Sequence, residues 1–371
     1  MKVLFVYKYL TLGGVEAVLR ARLDGLEALG VEAHAWFFHD YGGRSIFRGR
    51  EDRLHVGLVE ECLRWARRER FDLLSSIDSE EVLPGFAGQT EGPRLVMECH
   101  SAYLANIEYL RGLAAYHPAA VFCPSEGQAR LSRERVGEGV PVRVVPNPLR
   151  EEFVAEPPPF PAPPPYPVVA WIGRLDDHKN WRGFVEIAGL LGRRGVEHEA
   201  WIIGKSPDPE IPGQLLSAAR EARALRRLRW FGALPHGRIP LFLDAVRDSG
   251  GAVISTSRGE SFGLTIAEAM ARRCAVAAPN QAPFPEFVDP GRTGTLFTPG
   301  SAESAADRLQ ELIANAPLRA EMGARARDSV LARFAPGVAL GVLAAELKTL
   351  TPPTPSLPSL HPPAGERGGS G

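Results

Sequence analysis

Residues 156–167 read EPPPFPAPPPYP, and this stretch constrains the chain more than any other. Its eight prolines forbid a helix or a central strand, because proline lacks the N–H and fixes φ. The stretch predicts a semi-rigid extended linker, hence two structural units. On either side the same rhythm runs. Before it, short β-rich runs at Val3–Val6, Leu73–Leu74, Leu95–Met97, Ala120–Cys123 and Val142–Val145 alternate with helical patterns. After Gly13-Gly14, the residues Val15, Val18, Leu19, Leu26 and Leu29 fall on one helical face. Beyond the linker the strand runs are Val168–Ile172, Trp201–Ile203, Arg229–Phe231, Ala252–Ser255 and Ala275–Ala278. Helices are expected near 181–194, 213–226, 237–247, 263–272, 303–314 and 317–333.

A strand-then-helix rhythm means parallel strands with crossover helices, an α/β layer fold. The expected organisation is a first doubly wound domain over 1–155, the linker, and a second domain over 168–335. The cleft between them is the default site. A last helix over 338–350 follows Pro336-Gly337. Residues 351–371 are rich in Pro, Ser and Gly and read as a disordered tail.

Composition enters where it excludes function classes. The chain has 371 residues, with 43 basic and 44 acidic side chains and a net charge of −1. That balance argues against bulk attraction to nucleic acid. Cys62, Cys99, Cys123 and Cys274 stand far apart, so neither a zinc site nor a disulfide framework is indicated, and a reduced cytosol fits. The opening MKVLFVYKYLTLGG is too short in apolar residues for a signal peptide and reads as a first strand. No run of 18 apolar residues is present, so no membrane span is expected. Arginines cluster at 64, 67, 68 and 70 and again at 223, 226, 227 and 229. They read first as solvated helix faces and second as peripheral contacts to an anionic membrane.

The densest chemistry lies in STSRGESFGLTIAEAMARRCAVAAP, residues 255–279. A strand ends near Ser255, and Gly263 opens a helix whose free N–H groups and dipole suit a diphosphate. Glu260 precedes that helix and Glu268 lies two turns into it. A carboxylate there can accept hydrogen bonds from the paired hydroxyls of a ribose. Taken alone, Glu260 also reads as a cap and Glu268 as a solvated residue. Arg174 and Lys179 follow the strand Val168–Ile172 and place two cations at the cleft end, either a phosphate clamp or ordinary surface charge. Gly13-Gly14 lets a ligand approach the backbone closely. His100 ends a strand run, where functional residues gather, although a lone histidine is more often structural.

Together these pieces resemble the retaining glycosyltransferases of the GT-B fold, family 4. The resemblance rests on Gly13-Gly14-Val15-Glu16, CPSEGQARL at 123–131, VRVVPNP at 142–148, Gly173-Arg174-Leu175 with Lys179-Asn180, Phe231-Gly232, ESFGLTIAEAM, and Pro285-Glu286 with Gly291 and Gly294. It implies two Rossmann-like domains facing across a cleft, with the last helix crossing back to the first. It implies a nucleotide-sugar donor, UDP-, GDP- or ADP-linked, and an acceptor glycan, lipid or small molecule. It implies transfer with retention, without metal or other cofactor, by a cytoplasmic enzyme. By the same resemblance Glu268 holds the ribose, and Arg174, Lys179 and Gly14 bind the diphosphate. Glu260 with the backbone of Phe262, Gly263 and Leu264 cradles the sugar, His100 faces the reacting sugar, and Leu234 in the loop Ala233–His236 lies by the base. Asn147-Pro148-Leu149-Arg150 departs from the usual Asn-Gly-x-Asp, and Gly204-Lys205-Ser206-Pro207 from a glycine-rich turn. Two alternatives stay open: a nucleotide-sugar epimerase or hydrolase on this fold, and a non-catalytic nucleotide-sugar-binding partner subunit.

Overall fold

The structure, a computed structural model, describes residues 1–351 apart from Thr90 and Pro207. The tail expected over 351–371 lies, from residue 352 on, outside the described residues. The first sheet has seven strands: β1 Lys2–Leu10, β2 Glu32–Asp40, β3 Leu54–Val56, β4 Leu73–Ile77, β5 Arg94–Glu98, β6 Ala120–Cys123 and β7 Val142–Val144. Their order is β3-β2-β1-β4-β5-β6-β7, and every pairing is parallel. The helices of this half are α1 Gly14–Gly25, α2 Val59–Arg68 and α3 Glu126–Val136. The short α4 Glu151–Val154 follows the sheet and packs on the second domain through Phe153.

The second sheet contains β8 Val168–Ile172, β9 Glu199–Ile203, β10 Leu228–Trp230, β11 Ala252–Ile254, β12 Ala275–Pro279 and β13 Thr295–Phe297. Its order is β10-β9-β8-β11-β12-β13, again parallel. Its helices are α5 Trp181–Arg193, α6 Ile211–Glu221, α7 Ile239–Asp248, α8 Leu264–Ala271, α9 Ala302–Ala314 and α10 Ala316–Phe334. Each sheet is covered on both faces by apolar clusters. The strands therefore read as continuous apolar runs, as parallel strands buried on both faces do.

Several expectations need correction. The strands β2, β3 and β13 were not anticipated from the sequence. β2 is nine residues long, but Glu32, His34, His39 and Asp40 interrupt its apolar pattern. The first helix stops at Gly25, so Leu26 and Leu29 leave the helical face assigned to them and Leu29 falls in a following turn. Phe231 lies beyond β10 and is exposed. The proline-rich stretch is not free of contacts: the Phe160 N–H donates to Asp248 at 2.6 Å, and Glu156 pairs with Arg273 at 2.7 Å.

The last helix, α11 Pro336–Leu350, returns to the first domain. Leu340, Leu343, Ala344, Leu347 and Leu350 join its core beside Leu19 and Leu23 of α1. Lys348 donates to the Leu29 carbonyl at 2.9 Å, and Arg94 binds the Leu350 carbonyl. One window of the stretch Ala316–Leu350 reaches a mean hydropathy of 1.6, long and apolar enough by composition alone to cross a bilayer, although it contains no unbroken run of 18 apolar residues. Here Pro336 breaks it into α10 and α11, and each half packs against a domain core.

Leu343→Ala should therefore destabilise the first domain by roughly 2–5 kcal/mol, the range for a buried leucine cut to alanine. Urea unfolding followed by tryptophan fluorescence reads this, and a loss below 1 kcal/mol would show that α11 is only loosely docked.

Candidate active site

In a doubly wound sheet the crossovers diverge where the strand order reverses, and a crevice opens at the carboxyl ends of those strands. The reversals fall between β1 and β4 in one sheet and between β8 and β11 in the other. The loops after these four strands carry most of the residues singled out from the sequence.

After β1, Gly13 and Gly14 lead into α1. Glu16, 1% exposed, folds back so that the N–H and hydroxyl of Thr11 both donate to its Oε1 at 2.5 Å. Burial pushes the Glu16 carboxyl up, and the Thr11 bonds oppose it. Gly14 faces the other domain: a Cβ there would lie 3.9 Å from Leu264 Cδ2.

After β8, Asn180 adopts a left-handed conformation and caps α5 by accepting from the Gly183 N–H at 3.2 Å. This turn aims Lys179 at Glu260. Lys179 Nζ donates to Glu260 Oε1 at 2.6 Å, and the Ser257 hydroxyl donates to the same oxygen at 2.7 Å. Arg174 pairs with Asp176 at 3.0 Å and donates to the Tyr103 hydroxyl of the first domain at 2.9 Å. The Tyr103 ring stacks on His178 with centroids 4.0 Å apart. Burial, then the neighbouring Lys179 charge, holds His178 below the usual imidazole range.

After β11 the chain reaches Glu260, and Gly263 turns into α8 with φ 82°, a left-handed value that favours glycine. A Cβ at Gly263 would also lie 2.8 Å from the Phe284 ring. The Phe262 side chain is buried against Phe287 and Phe334, so only its backbone faces the loop. Leu264 begins α8, and Leu234 is half-buried against the second core. Glu268 is buried, and its Oε1 accepts from Arg150 Nη2 at 3.1 Å.

His100 lies at the β5 end, and its Nε2 is 2.9 Å from Glu98 Oε2. Glu98 is completely buried. It accepts both terminal nitrogens of Arg22, at 2.7 and 2.8 Å, and the Ser75 hydroxyl at 2.6 Å. Burial pushes the Glu98 carboxyl up, but Arg22 and His100 outweigh it and hold it well below the usual range. The His100 side chain is only 5% exposed, so this network fixes its ring rather than leaving it to swing in the cleft.

Asp78 carries no motif or periodic signal in the sequence. It follows β4 at the reversal point, with a left-handed φ of 42°, and accepts from the His100 N–H at 3.1 and 3.2 Å and from Tyr109. No cation pairs with it among the described residues, and burial, then nearby Cys99, raises its pKa to about 7. Tyr103 and Arg150 were also missed as site residues, because single polar residues in loops leave no periodic signal. Among the described residues no cluster of three or more His, Cys, Asp or Glu is placed to hold a metal. Of the basic clusters, Arg67 is engaged with Gly85 and Gln89, Arg68 with Glu69 and Arg229 with Glu199.

The two domains touch around this cleft. The Ser125 hydroxyl donates to the Ser261 carbonyl at 2.7 Å. Glu286 of the second domain accepts the Glu126 and Gly127 N–H groups at the start of α3, at 2.9 and 2.7 Å.

Solved structures share this architecture. HepE of Anabaena in complex with UDP-glucose superposes with a TM-score of 0.80 at 18% identity, over 94% of this chain and all of that one. Sucrose-phosphate synthase from Thermosynechococcus elongatus superposes with a TM-score of 0.75 at 16% identity, over 94% of this chain and 99% of that one. The fold is GT-B. Residues 155–329 match the family model of glycosyl transferases group 1. The D-inositol 3-phosphate glycosyltransferase of Corynebacterium aurimucosum is 31% identical over 164 residues, 43% of this chain and 38% of the relative. The alpha-D-kanosaminyltransferase of Streptomyces kanamyceticus is 28% identical over 169 residues, 45% of this chain and 42% of the relative. This chain thus spans less than half the length of these curated relatives in each alignment.

Asp78 sets a pH dependence. Its folded pKa of about 7 exceeds the unfolded value near 3.8, so between these the folded state holds a proton that the unfolded state has lost. Stability contributed by the neutral acid is full below the lower value and declines as pH rises to about 7, at up to about 1.4 kcal/mol per pH unit. Asp78→Asn should gain stability relative to the parent as pH rises from 5 to 7. Urea melts at each pH test this, and a constant difference would mean that Asp78 ionises normally.

Proposed function

We propose that this protein transfers a sugar from a nucleotide-diphosphate donor to an acceptor hydroxyl, with retention of anomeric configuration and without a metal. One observation carries the reading. The loops after β1, β8 and β11 bring Gly14, the Arg174 and Lys179 cations, Glu260 and the start of α8 to one interdomain cleft. Such convergence is hard to explain as ordinary surface charge, because Lys179 and Glu260 are mostly buried. The named relatives are transferases, which favours transfer over epimerisation, hydrolysis or binding alone. The UDP-glucose held by HepE favours a UDP-linked donor here.

The chemistry follows from electrostatics. As the C1–O bond of the donor breaks, negative charge grows on the leaving diphosphate. Arg174, Lys179 and the free N–H groups at the start of α8 stabilise that charge, in positions fixed before the reaction begins. The acceptor oxygen forms its bond to C1 on the same face, and its proton passes to the departing phosphate oxygen. Glu260 holds the sugar and is not a nucleophile in this scheme. Glu268 accepts from the ribose hydroxyls, with Leu234 on the base side. His100, fixed by Glu98, faces the sugar from the first domain. Cytoplasmic residence, with peripheral membrane contact through the arginine clusters, belongs to the same proposal.

Lys179→Ala should weaken UDP binding by at least about tenfold, as expected for loss of one charge-assisted contact of roughly 1.5–3 kcal/mol, and should leave uridine binding nearly unchanged. Calorimetry with both ligands tests this, and equal losses would remove Lys179 from the diphosphate. Proton NMR of the first-formed glycoside from an α-linked donor should show an α product, and a β product would overturn retention. Activity should persist in EDTA; loss restored by magnesium or manganese would overturn metal independence.

A further inference from the structure

Arg150 stands where the resembling family usually has aspartate, in the connection between the two domains. It is anchored to the second domain. The preceding Leu149 is buried in that core, and its N–H donates to the Phe334 carbonyl at 2.8 Å. The guanidinium lies over the Phe153 ring, 4.6 Å from its centroid. From there Nη1 reaches Glu152 Oε1 at 2.9 Å and Nη2 reaches Glu268 Oε1 at 3.1 Å. Both Arg150 and Glu268 side chains are only 10% exposed. A carboxylate so buried is costly to ionise unless a cation faces it.

We infer that Arg150 is a positioning residue for Glu268: it holds one carboxylate oxygen and leaves the other to accept the ribose hydroxyls of the donor. The geometry supports this division. Oε1 is engaged by Arg150, and Oε2 makes no hydrogen bond among the described residues. Arg150 is also held by Phe153 and Glu152, contacts that do not involve Glu268 and that fix where the guanidinium meets the carboxylate. The charged groups that face Glu268 are Arg150 and, more weakly and with opposite effect, Glu152 on α4. Burial already pushes the Glu268 carboxyl up, and Arg150 opposes that push. Removing the guanidinium removes the opposing charge, so the carboxyl protonates at higher pH, and a protonated Glu268 loses an acceptor for the ribose. The inference rests on the nucleotide-sugar reading above for its ribose half. Its electrostatic half stands on the ion pair alone.

The test uses Arg150→Met and Arg150→Lys in the full chain, with two readouts. The first is the titration midpoint of Glu268 by carbon NMR of protein labelled at glutamate carboxyls, assigned with Glu268→Gln. The midpoint should rise by about one unit or more in Arg150→Met and return toward the parent in Arg150→Lys. The second is calorimetry with UDP, GDP and ADP and with their 2′,3′-dideoxy counterparts at pH 6 and pH 8. For whichever diphosphate the parent binds, Arg150→Met should lose more affinity at pH 6 than at pH 8, by up to about tenfold for each unit that the Glu268 midpoint rises. Its dideoxy counterpart should show no such pH-dependent loss. An unchanged Glu268 midpoint overturns the inference. Equal losses for ribose and dideoxy ligands at both pH values also overturn it, and mark Arg150 as a residue of the fold only. A shifted midpoint in a parent that binds none of the three diphosphates overturns the ribose half and the proposed function with it, while the ion-pair half stands.

Discussion

Two parallel sheets each reverse their strand order once, and the rest of the site depends on those reversals. At each one, neighbouring crossovers go to opposite faces of the sheet, so the loops at the carboxyl ends part and leave a crevice. Gly13-Gly14 and Asp78 flank the reversal of the first sheet. Arg174, Lys179 and Glu260 flank that of the second. Facing these crevices toward each other brings residues more than 240 positions apart, Gly14 and Leu264, into near contact. No long-range electrostatic attraction is needed to assemble the site; the net charge of the chain is only −1. The charges are placed by backbone topology and then paired locally.

That local pairing divides the site into a rigid wall and a polar floor. On the first domain, Arg22, Ser75 and His100 converge on the buried Glu98 carboxylate, and both of its oxygens are engaged. A buried carboxylate satisfied by a bidentate arginine is strongly committed to one geometry, since losing either partner would strand a charge in a medium that solvates it poorly. On the second domain the pairs are more open: Lys179 with Glu260, and Arg174 with Asp176 and Tyr103.

The parts of the fold legible in the sequence were those with strong apolar periodicity. The strands β6 and β8 and the helices α5, α8, α9 and α10 fall where the pattern places them, within two residues at each end. The return of the last helix was legible only through the family resemblance, because nothing local in its apolar stripe says which domain it covers. β2 was hidden by its polar ends, and β3 and β13 by their three-residue length. Of the site, Lys179 and Glu260 were candidates by position and took their roles only through the family resemblance, and the structure brings them together. Asp78 and Arg150 were not, since their meaning lies in what they face, 22 and 118 positions away in His100 and Glu268.

The return helix also bears on how the chain acquires its shape during synthesis. Domains generally fold in the order in which they leave the ribosome. Here Leu340, Leu343, Ala344, Leu347 and Leu350 belong to the core of the domain that is made first, yet they are among the last described residues to be made. Until they emerge, that core lacks one wall beside Leu19 and Leu23, while the second domain already has every strand and helix of its own from β8 to α10. The amino-terminal half thus waits for the carboxyl-terminal one, and its exposed leucine-lined flank is what a nascent-chain chaperone would meet in the interval.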